Sequence, residues 1–238
     1  MTTPRTALIT GGAKRVGRAI AQRLSQAGFA VAFTFNSSQN EADDLAKSIG
    51  GIAIKADLTD PQIAVTQIAE RFEKSFDRLD VLVNNASLYL PGKLEAAKVQ
   101  QSRQLMAIHF ESPLLLAQHF AAKLRSSRGH IINMVDLMAE RPGPGYLAYC
   151  ASKAALLNLT LSLARELAPE VTVNGIAPGV VDWPPGYSAA DQEKYLKRVP
   201  LARAGTPADV AETVHFLATT GSYITGQILR LDGGRSIT

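Results

Sequence analysis

Short runs of consecutive apolar residues alternate along the whole chain with longer stretches in which apolar residues recur every three or four positions. The first pattern predicts strands buried on both faces, the second helices with one buried stripe. Thr6–Ile9 reads as the first strand, and Val16–Ala27 as a helix ending at Gly28. Val31–Phe35 is the next strand, followed by a helix over about Glu41–Ile49 that stops at Gly50 and Gly51. Ile52–Ala56 is a third strand. Asp60-Pro61 then opens a helix, with Asp60 as N-cap and Pro61 in the first helical position, where a missing N–H costs nothing. Asp80–Val83 and His130–Met134 are strands separated by a long helical stretch through about Gln100–Leu124. Ala151–Leu167 is a strongly apolar helix, Val171–Ile176 a strand, Pro207–Ala218 the last helix and Gln227–Leu231 the last strand. Alternation this regular predicts one α/β domain, a doubly wound parallel sheet with helices on both faces. Pro178–Pro200, rich in Pro and Gly, reads as the one long irregular segment, of the kind used as a lid or binding loop.

Composition narrows this picture. With 238 residues the chain suits one large domain better than two, and 46% hydrophobic against 19% charged residues excludes disorder. No apolar run approaches the roughly 18 residues of a spanning helix, so no membrane association is expected. The opening MTTPRTALITGG lacks a secretory pattern and reads as a short tail feeding the first strand. Cys150 is the single cysteine, which leaves no disulfide or zinc cluster within the chain and fits a reducing cytoplasm. The net charge of +4 is spread out; Lys123–Arg128 and Lys194–Arg203 are broken by apolar residues and carry no aromatic series, so nucleic acid is not an expected partner.

The candidate chemistry begins at the first strand-to-helix turn, Thr10-Gly11-Gly12-Ala13-Lys14-Arg15-Val16-Gly17. Glycines there let the backbone turn tightly and approach a pyrophosphate seated on the helix N-terminus. Gly11 and Gly17 hold the outer positions of a T-G-x-x-x-G-x-G turn, but Arg15 stands where a middle glycine is usual. NAD selectivity normally places an acid at the end of the second strand, on the ribose hydroxyls. This chain has Asn36-Ser37-Ser38, and its first acid is Glu41. Amide and hydroxyl donors, helped by Lys14 or Arg15, suit a 2′-phosphate that a carboxylate would repel, so NADP(H) is the expected cofactor. Tyr149 and Lys153, four apart, share one helix face. A nearby ammonium lowers the pKa of a phenol and would make Tyr149 a usable acid or base.

Several of these features occur together and in a known order. The Thr10–Gly17 turn, Asp57-Leu58, Asn84-Asn85-Ala86-Ser87, Tyr149 with Lys153, Pro178-Gly179 and Asp232-Gly233-Gly234 resemble the short-chain dehydrogenase/reductase family over nearly the whole chain. More narrowly, the chain resembles the pteridine reductases and the bacterial dihydromonapterin reductases. Three features carry that match: the Lys14-Arg15 pair, Asn85-Ala86-Ser87-Leu88-Tyr89, and Asp136, thirteen residues before Tyr149, where most of the wider family has a catalytic serine.

The resemblance implies that Asp136, Tyr149 and Lys153 are catalytic, with Lys153 on the nicotinamide ribose. It implies a cofactor site of Gly11, Lys14, Arg15, Val16, Asn36, Ser37, Ser38, Asp57, Leu58, Asn85, Ala86, Ser87, Tyr149, Lys153, Pro178 and Gly179. Arg15, Ser87, Tyr89, Asp136 and Tyr149 would bind substrate, Tyr89 by stacking on it. Residues 1–135 would form the nucleotide half and 136–238 the catalytic and substrate-loop half. Serine suits a carbonyl because a hydroxyl donates to a ketone oxygen; a carboxyl can pair with ring N–H groups, which suits a pterin. The leading expectation is therefore an NADPH-dependent pteridine reductase, a cytoplasmic homotetramer by family analogy. Two other readings stay open: a carbonyl or 3-oxoacyl-thioester reductase, and an NADP-sensing regulator without turnover. Trp183 and Tyr187 lie in the long loop and either pack or contact substrate, while Cys150 reads as packing. His109 stands where the wider family usually has an asparagine that supports the lysine, as a structural residue or a proton relay.

Overall fold

The computed structural model describes residues 4–183 and 186–238. Met1–Thr3, the start of the expected N-terminal tail, and Pro184 and Pro185 of the long loop lie outside the described residues. Seven parallel strands form one sheet in the order β3-β2-β1-β4-β5-β6-β7. They are β1 (Thr6–Ile9), β2 (Ala30–Phe35), β3 (Ile52–Lys55), β4 (Val81–Asn84), β5 (His130–Met134), β6 (Thr172–Pro178) and β7 (Ile228–Leu231). The helices are α1 (Arg15–Gln26), α2 (Gln39–Ile49), α3 (Pro61–Glu73), α4 (Val99–Met106), α5 (Ser112–Ser127), α6 (Leu147–Glu166), α7 (Ala189–Leu196) and α8 (Pro207–Thr219).

Alternation along each strand divides the core. Ala7 and Ile9 of β1 face a layer built from α1, α2 and α8, with Ile20, Leu24, Leu45, Val210 and Val214 buried. Leu8 faces the opposite layer of α3 and α5, where Ile68, Phe72, Leu116 and Phe120 are buried. The rings of Phe72 and Phe120 meet edge to face at 5.2 Å, a geometry aromatic quadrupoles favour. Order reverses between β1 and β4. At such a switch point the two connections leave in opposite directions and open a crevice at the carboxyl ends of the strands.

Three expectations need correction. The helical stretch expected as continuous over Gln100–Leu124 is interrupted: a π turn at Ala107–Glu111 separates α4 from α5. The helix expected from Ala151 starts four residues earlier, at Leu147, so Tyr149 and Lys153 sit within its first two turns and are both buried. The segment expected to be irregular, Pro178–Pro200, contains α7, opened by a reciprocal capping box between Ser188 and Asp191. By length and composition α6 could cross a membrane, but 44% of its apolar window is buried here and it carries a buried lysine. It is placed as a core helix.

The two central strands are fastened at their starts by Asp80. Its carboxylate accepts from Thr6 N at 2.8 Å and from Arg78 Nε at 2.9 Å, with the carboxylate 8% and the guanidinium 37% exposed. Asp80→Ala leaves a strand N–H and a guanidinium without their acceptor. It should lower unfolding free energy by about 2–3 kcal/mol, somewhat below the loss for a fully buried pair. Urea denaturation of both proteins checks this; an unchanged midpoint would rule out the clamp.

Candidate active site

The glycine turn is bound to the end of β4. Thr10 Oγ1 accepts from Asn85 N at 2.9 Å and Ala86 N at 3.0 Å, while Asn85 Nδ2 donates to Thr10 O and Gly11 O at 2.9 and 3.0 Å. Gly11 takes φ 64°, and a Cβ there would stand 2.9 Å from Ala86 Cα. Only glycine fits both conditions. Gly17 is equally constrained, since a Cβ would meet Gly11 O at 2.2 Å. Arg15, at the place of the usual middle glycine, has φ 51°. It therefore holds a left-handed conformation that costs a side-chain-bearing residue about 1–2 kcal/mol.

The turn suits a bound pyrophosphate. Lys14, the N-cap of α1, makes no side-chain capping bond, and the first turn carries no acid. By contrast Asp60, Ser188 and Thr206 cap α3, α7 and α8. The starts of α2, α4 and α6 also lack a side-chain cap, so what sets the amides of α1 apart is the close glycine turn that precedes them. Asn36 and Ser37 are exposed at the end of β2, with Ser38 half-buried at the N-cap of α2. Asp57 is drawn below the usual carboxylate range chiefly by the Thr59 amide, then by the Thr59 hydroxyl, with Asn36 also contributing. Leu58 beside it is buried. Lys14 and Arg15 are not free cations here. Lys14 Nζ lies 2.6 Å from Glu41 Oε1, and the Arg15 guanidinium pairs with Asp182 beyond β6. A 2′-phosphate reaching either would exchange with a carboxylate.

The strand ends bring the other predicted residues together. Asp136 follows β5, with Oδ1 accepting from Met138 N at 2.8 Å and Oδ2 from the Tyr149 hydroxyl at 2.7 Å. Lys153 Nζ donates to Met134 O at 2.8 Å and lies 5.9 Å from the centre of the Tyr149 ring. Pro178 ends β6, and Gly179 N bonds Leu231 O at 3.0 Å, where a Cβ would crowd Asp232. Asp232 itself caps the terminal turn through Gly234 N and Ser236 N.

The expected electrostatics of the pair are reversed. Burial, and then the charge and hydrogen bond of Asp136, push the Tyr149 phenol well above its ordinary value. Burial lowers the Lys153 amine to about 8, with Asp136 opposing. In this arrangement Tyr149 is a held proton donor and not an activated phenolate.

Tyr89 reaches the site but one face is taken. Its ring stacks on Tyr146 at 4.5 Å and meets Tyr149 edge-on at 4.9 Å. Tyr146 was not anticipated, although its spacing three before Tyr149 on the same helix start was a usable signal. Trp183 packs near Tyr187 and Tyr195 at 5.8 and 5.6 Å, while the Tyr195 hydroxyl accepts from Val180 N. Among the described residues Trp183 belongs to a local aromatic cluster with α7. Cys150 is buried. His109 is buried in the π turn, with Ser87 Oγ 2.8 Å from Nε2 and Ser152 Oγ 2.8 Å from Nδ1. Ser152, also unanticipated, looked like one more polar residue of an apolar helix.

A family model described as enoyl-(acyl carrier protein) reductase matches residues 11–236. The chain is 35% identical over 244 residues to a 3-oxoacyl-(acyl-carrier-protein) reductase of Staphylococcus aureus, across 98% of this chain and 99% of that protein. It is 33% identical over 238 residues to a dihydromonapterin reductase of Klebsiella pneumoniae, across 98% of both. This chain belongs to the short-chain dehydrogenase/reductase family. A solved structure, a blue fluorescent protein from a metagenomic library in complex with NADPH, superposes with a TM-score of 0.91 at 34% identity, covering 97% of both chains.

The buried lysine of this short-chain dehydrogenase/reductase carries a pH signature. Its folded pKa lies below the unfolded one, so between about pH 8 and 10.5 the unfolded chain binds more protons and stability rises with pH. Below pH 8 the cost of burying the ammonium is present in full. Lys153→Met should remove that rise, about 2–4 kcal/mol over the window, while abolishing any turnover. Urea midpoints measured from pH 7 to 10.5 test it; parallel curves for the two proteins would disprove the buried charge.

Proposed function

We propose that this chain is an NADPH-dependent reductase whose substrate is a dihydropterin, reduced to the tetrahydropterin. The observation that carries the reading is the Asp136 carboxyl bonded to the Tyr149 hydroxyl at the place where the wider family has a serine. NADPH supplies the hydride. The α1 N-terminus and the Thr10–Gly17 turn would receive its pyrophosphate, Asn36, Ser37 and Ser38 its adenosine end, and Lys153 its nicotinamide ribose. Leu58, Asn85, Ala86, Pro178 and Gly179 would line the same crevice, with residues 1–135 chiefly on the nucleotide and 136–238 on the substrate. Tyr149 keeps its proton until the reacting ring nitrogen is basic enough to take it, either directly or through Asp136. Asp136 accepts from ring N–H groups, and Tyr89, braced from behind by Tyr146, offers its other face to a flat ring. Arg15 and Ser87 complete the rim. A cytoplasmic homotetramer completes the reading, and light scattering of the purified protein tests the assembly.

A second reading is favoured by the names of several relatives, which are 3-oxoacyl-(acyl-carrier-protein) reductases. It makes the substrate a 3-oxoacyl thioester. Asp136 lends it less support, because a carboxylate accepts and does not donate, and the Tyr149 hydroxyl is then the one donor named here that such a ketone oxygen would use. A regulator that binds NADP without turnover has less support, since the Tyr149–Lys153 pair is intact.

Steady-state rates with dihydrobiopterin and with acetoacetyl thioester separate these readings. NADPH should exceed NADH by at least about tenfold in kcat/KM, equivalent to about 1.4 kcal/mol, because no acid follows β2. Equal use of both cofactors would sink that assignment. Asp136→Ser should lose pterin reduction by about a hundredfold, the usual worth of a positioned proton carrier, while any carbonyl activity persists or rises. If the unmodified protein instead reduces the thioester far faster than the pterin, the second reading replaces the first.

A further inference from the structure

His109 is almost fully buried in the only π turn among the described residues, and its two nitrogens hold two serines on different elements. Nδ1 faces Ser152 of α6, and Nε2 faces Ser87, which is exposed at the crevice beyond β4. A single π turn inserted in a helix is frequently retained at a functional site. Here it turns the imidazole toward both hydroxyls at once.

The direction of each bond follows from counting protons. Ser152 Oγ also lies 2.7 Å from Tyr149 O. A carbonyl only accepts, so the one hydroxyl proton of Ser152 goes to Tyr149 O. Ser152 can then meet Nδ1 only as an acceptor, and Nδ1 must carry the ring proton. Nε2 is left with a lone pair, so Ser87 donates to it. The opposite assignment would press two lone-pair oxygens together at 2.7 Å inside the core. A doubly protonated ring would reverse the Ser87 bond, but burial, and then the charge of Lys153, lower His109 to about 2 and keep it neutral.

We propose that His109 fixes the Ser87 hydroxyl as a hydrogen-bond acceptor toward the crevice, so that this position selects ligands presenting an N–H. The ligand class rests on the pterin reading; the proton arrangement does not. With its proton committed to Nε2, Ser87 has only lone pairs to offer a ligand. Asp136 likewise presents only acceptors. Two acceptors on the wall of one crevice suit an amino-substituted heterocycle, and leave the Tyr149 hydroxyl as the only donor of these three groups for a bare ketone oxygen. His109 acts through Ser87 and is a positioning residue.

Nitrogen-15 NMR of the labelled protein reads the arrangement directly. The chain has four histidines, and the signals lost in His109→Asn identify the one concerned. The expected result is a neutral ring with Nδ1 protonated and Nε2 bare, unchanged from pH 5 to 9. A protonated Nε2, or titration within that range, overturns the inference whatever substrate is used. Kinetics supply the second arm. Ser87→Ala and His109→Phe should each raise the dihydropterin KM by about three- to tenfold, the worth of one hydrogen bond, with a smaller effect on kcat. The double variant should be no worse than the more severe single one, because the two side chains act as a unit. Fully additive losses overturn the coupling. The expected tautomer in a protein that ignores pterins upholds the proton arrangement while removing the pterin reading.

Discussion

The hydrogen bond from the Tyr149 hydroxyl to the Asp136 carboxylate joins α6 to the end of β5, and much of the surrounding structure keeps it in place. Tyr149 is buried on the inner face of α6, so its phenol has few solvent competitors. Asp136 is held from the other side by Met138 N, which fixes the carboxylate plane. Lys153, one turn beyond Tyr149, is anchored to Met134 O two residues before Asp136. Helix and strand are therefore bonded to each other twice at the site, once through each member of the pair. The sheet supplies the rest, since β5 ends beside β4 and β6, whose own ends carry Asn85–Ser87 and Pro178-Gly179.

Several local rules are broken where this site is assembled. Arg15 takes a backbone conformation suited to glycine, α4 gives way to a π turn, and a lysine is buried near a phenol. Each of these costs stability. Away from the crevice Asp60-Pro61 caps α3 and a reciprocal box caps α8, while Arg128 at the end of α5 and Ala202 also take positive φ, 54° and 52°. Strain at the ligand-facing end of a sheet is a pattern expected when geometry there serves function.

The fold was legible because burial writes periodicity directly into sequence. Thr6–Ile9 and His130–Met134 occur with the boundaries the apolar runs predict, and the Asp60 cap follows from side-chain chemistry alone. The π turn left no such trace: inserting one residue per turn barely disturbs a 3.6-residue pattern over five positions. Helix α7 was masked by the prolines and glycines around it, although Ser188 and Asp191 spelled its cap. At the site, spacing revealed which residues meet but not the state they meet in. Tyr149 and Lys153 do share a face, yet the carboxylate on the phenol and the burial of both groups decide the direction of their pKa shifts, and both depend on residues distant in sequence.

Overall likeness and local chemistry answer different questions in this protein. Identities of 33% and 35% to a pterin reductase and to a thioester reductase are spread over the same length and differ too little to choose between them. What they share is the scaffold. Substrate choice is made by a few groups on the crevice wall, and the sense of each hydrogen bond there matters more than the number of identical positions elsewhere. A ketone oxygen needs a donor, and the Tyr149 hydroxyl is one. Asp136 accepts two hydrogen bonds, and under the proposed proton arrangement the exposed Ser87 would be a second acceptor. Under that arrangement a ligand that leaves them unmatched forgoes about 0.5–1.5 kcal/mol for each, and the pterin reading predicts that the difference favours a ring edge carrying N–H groups.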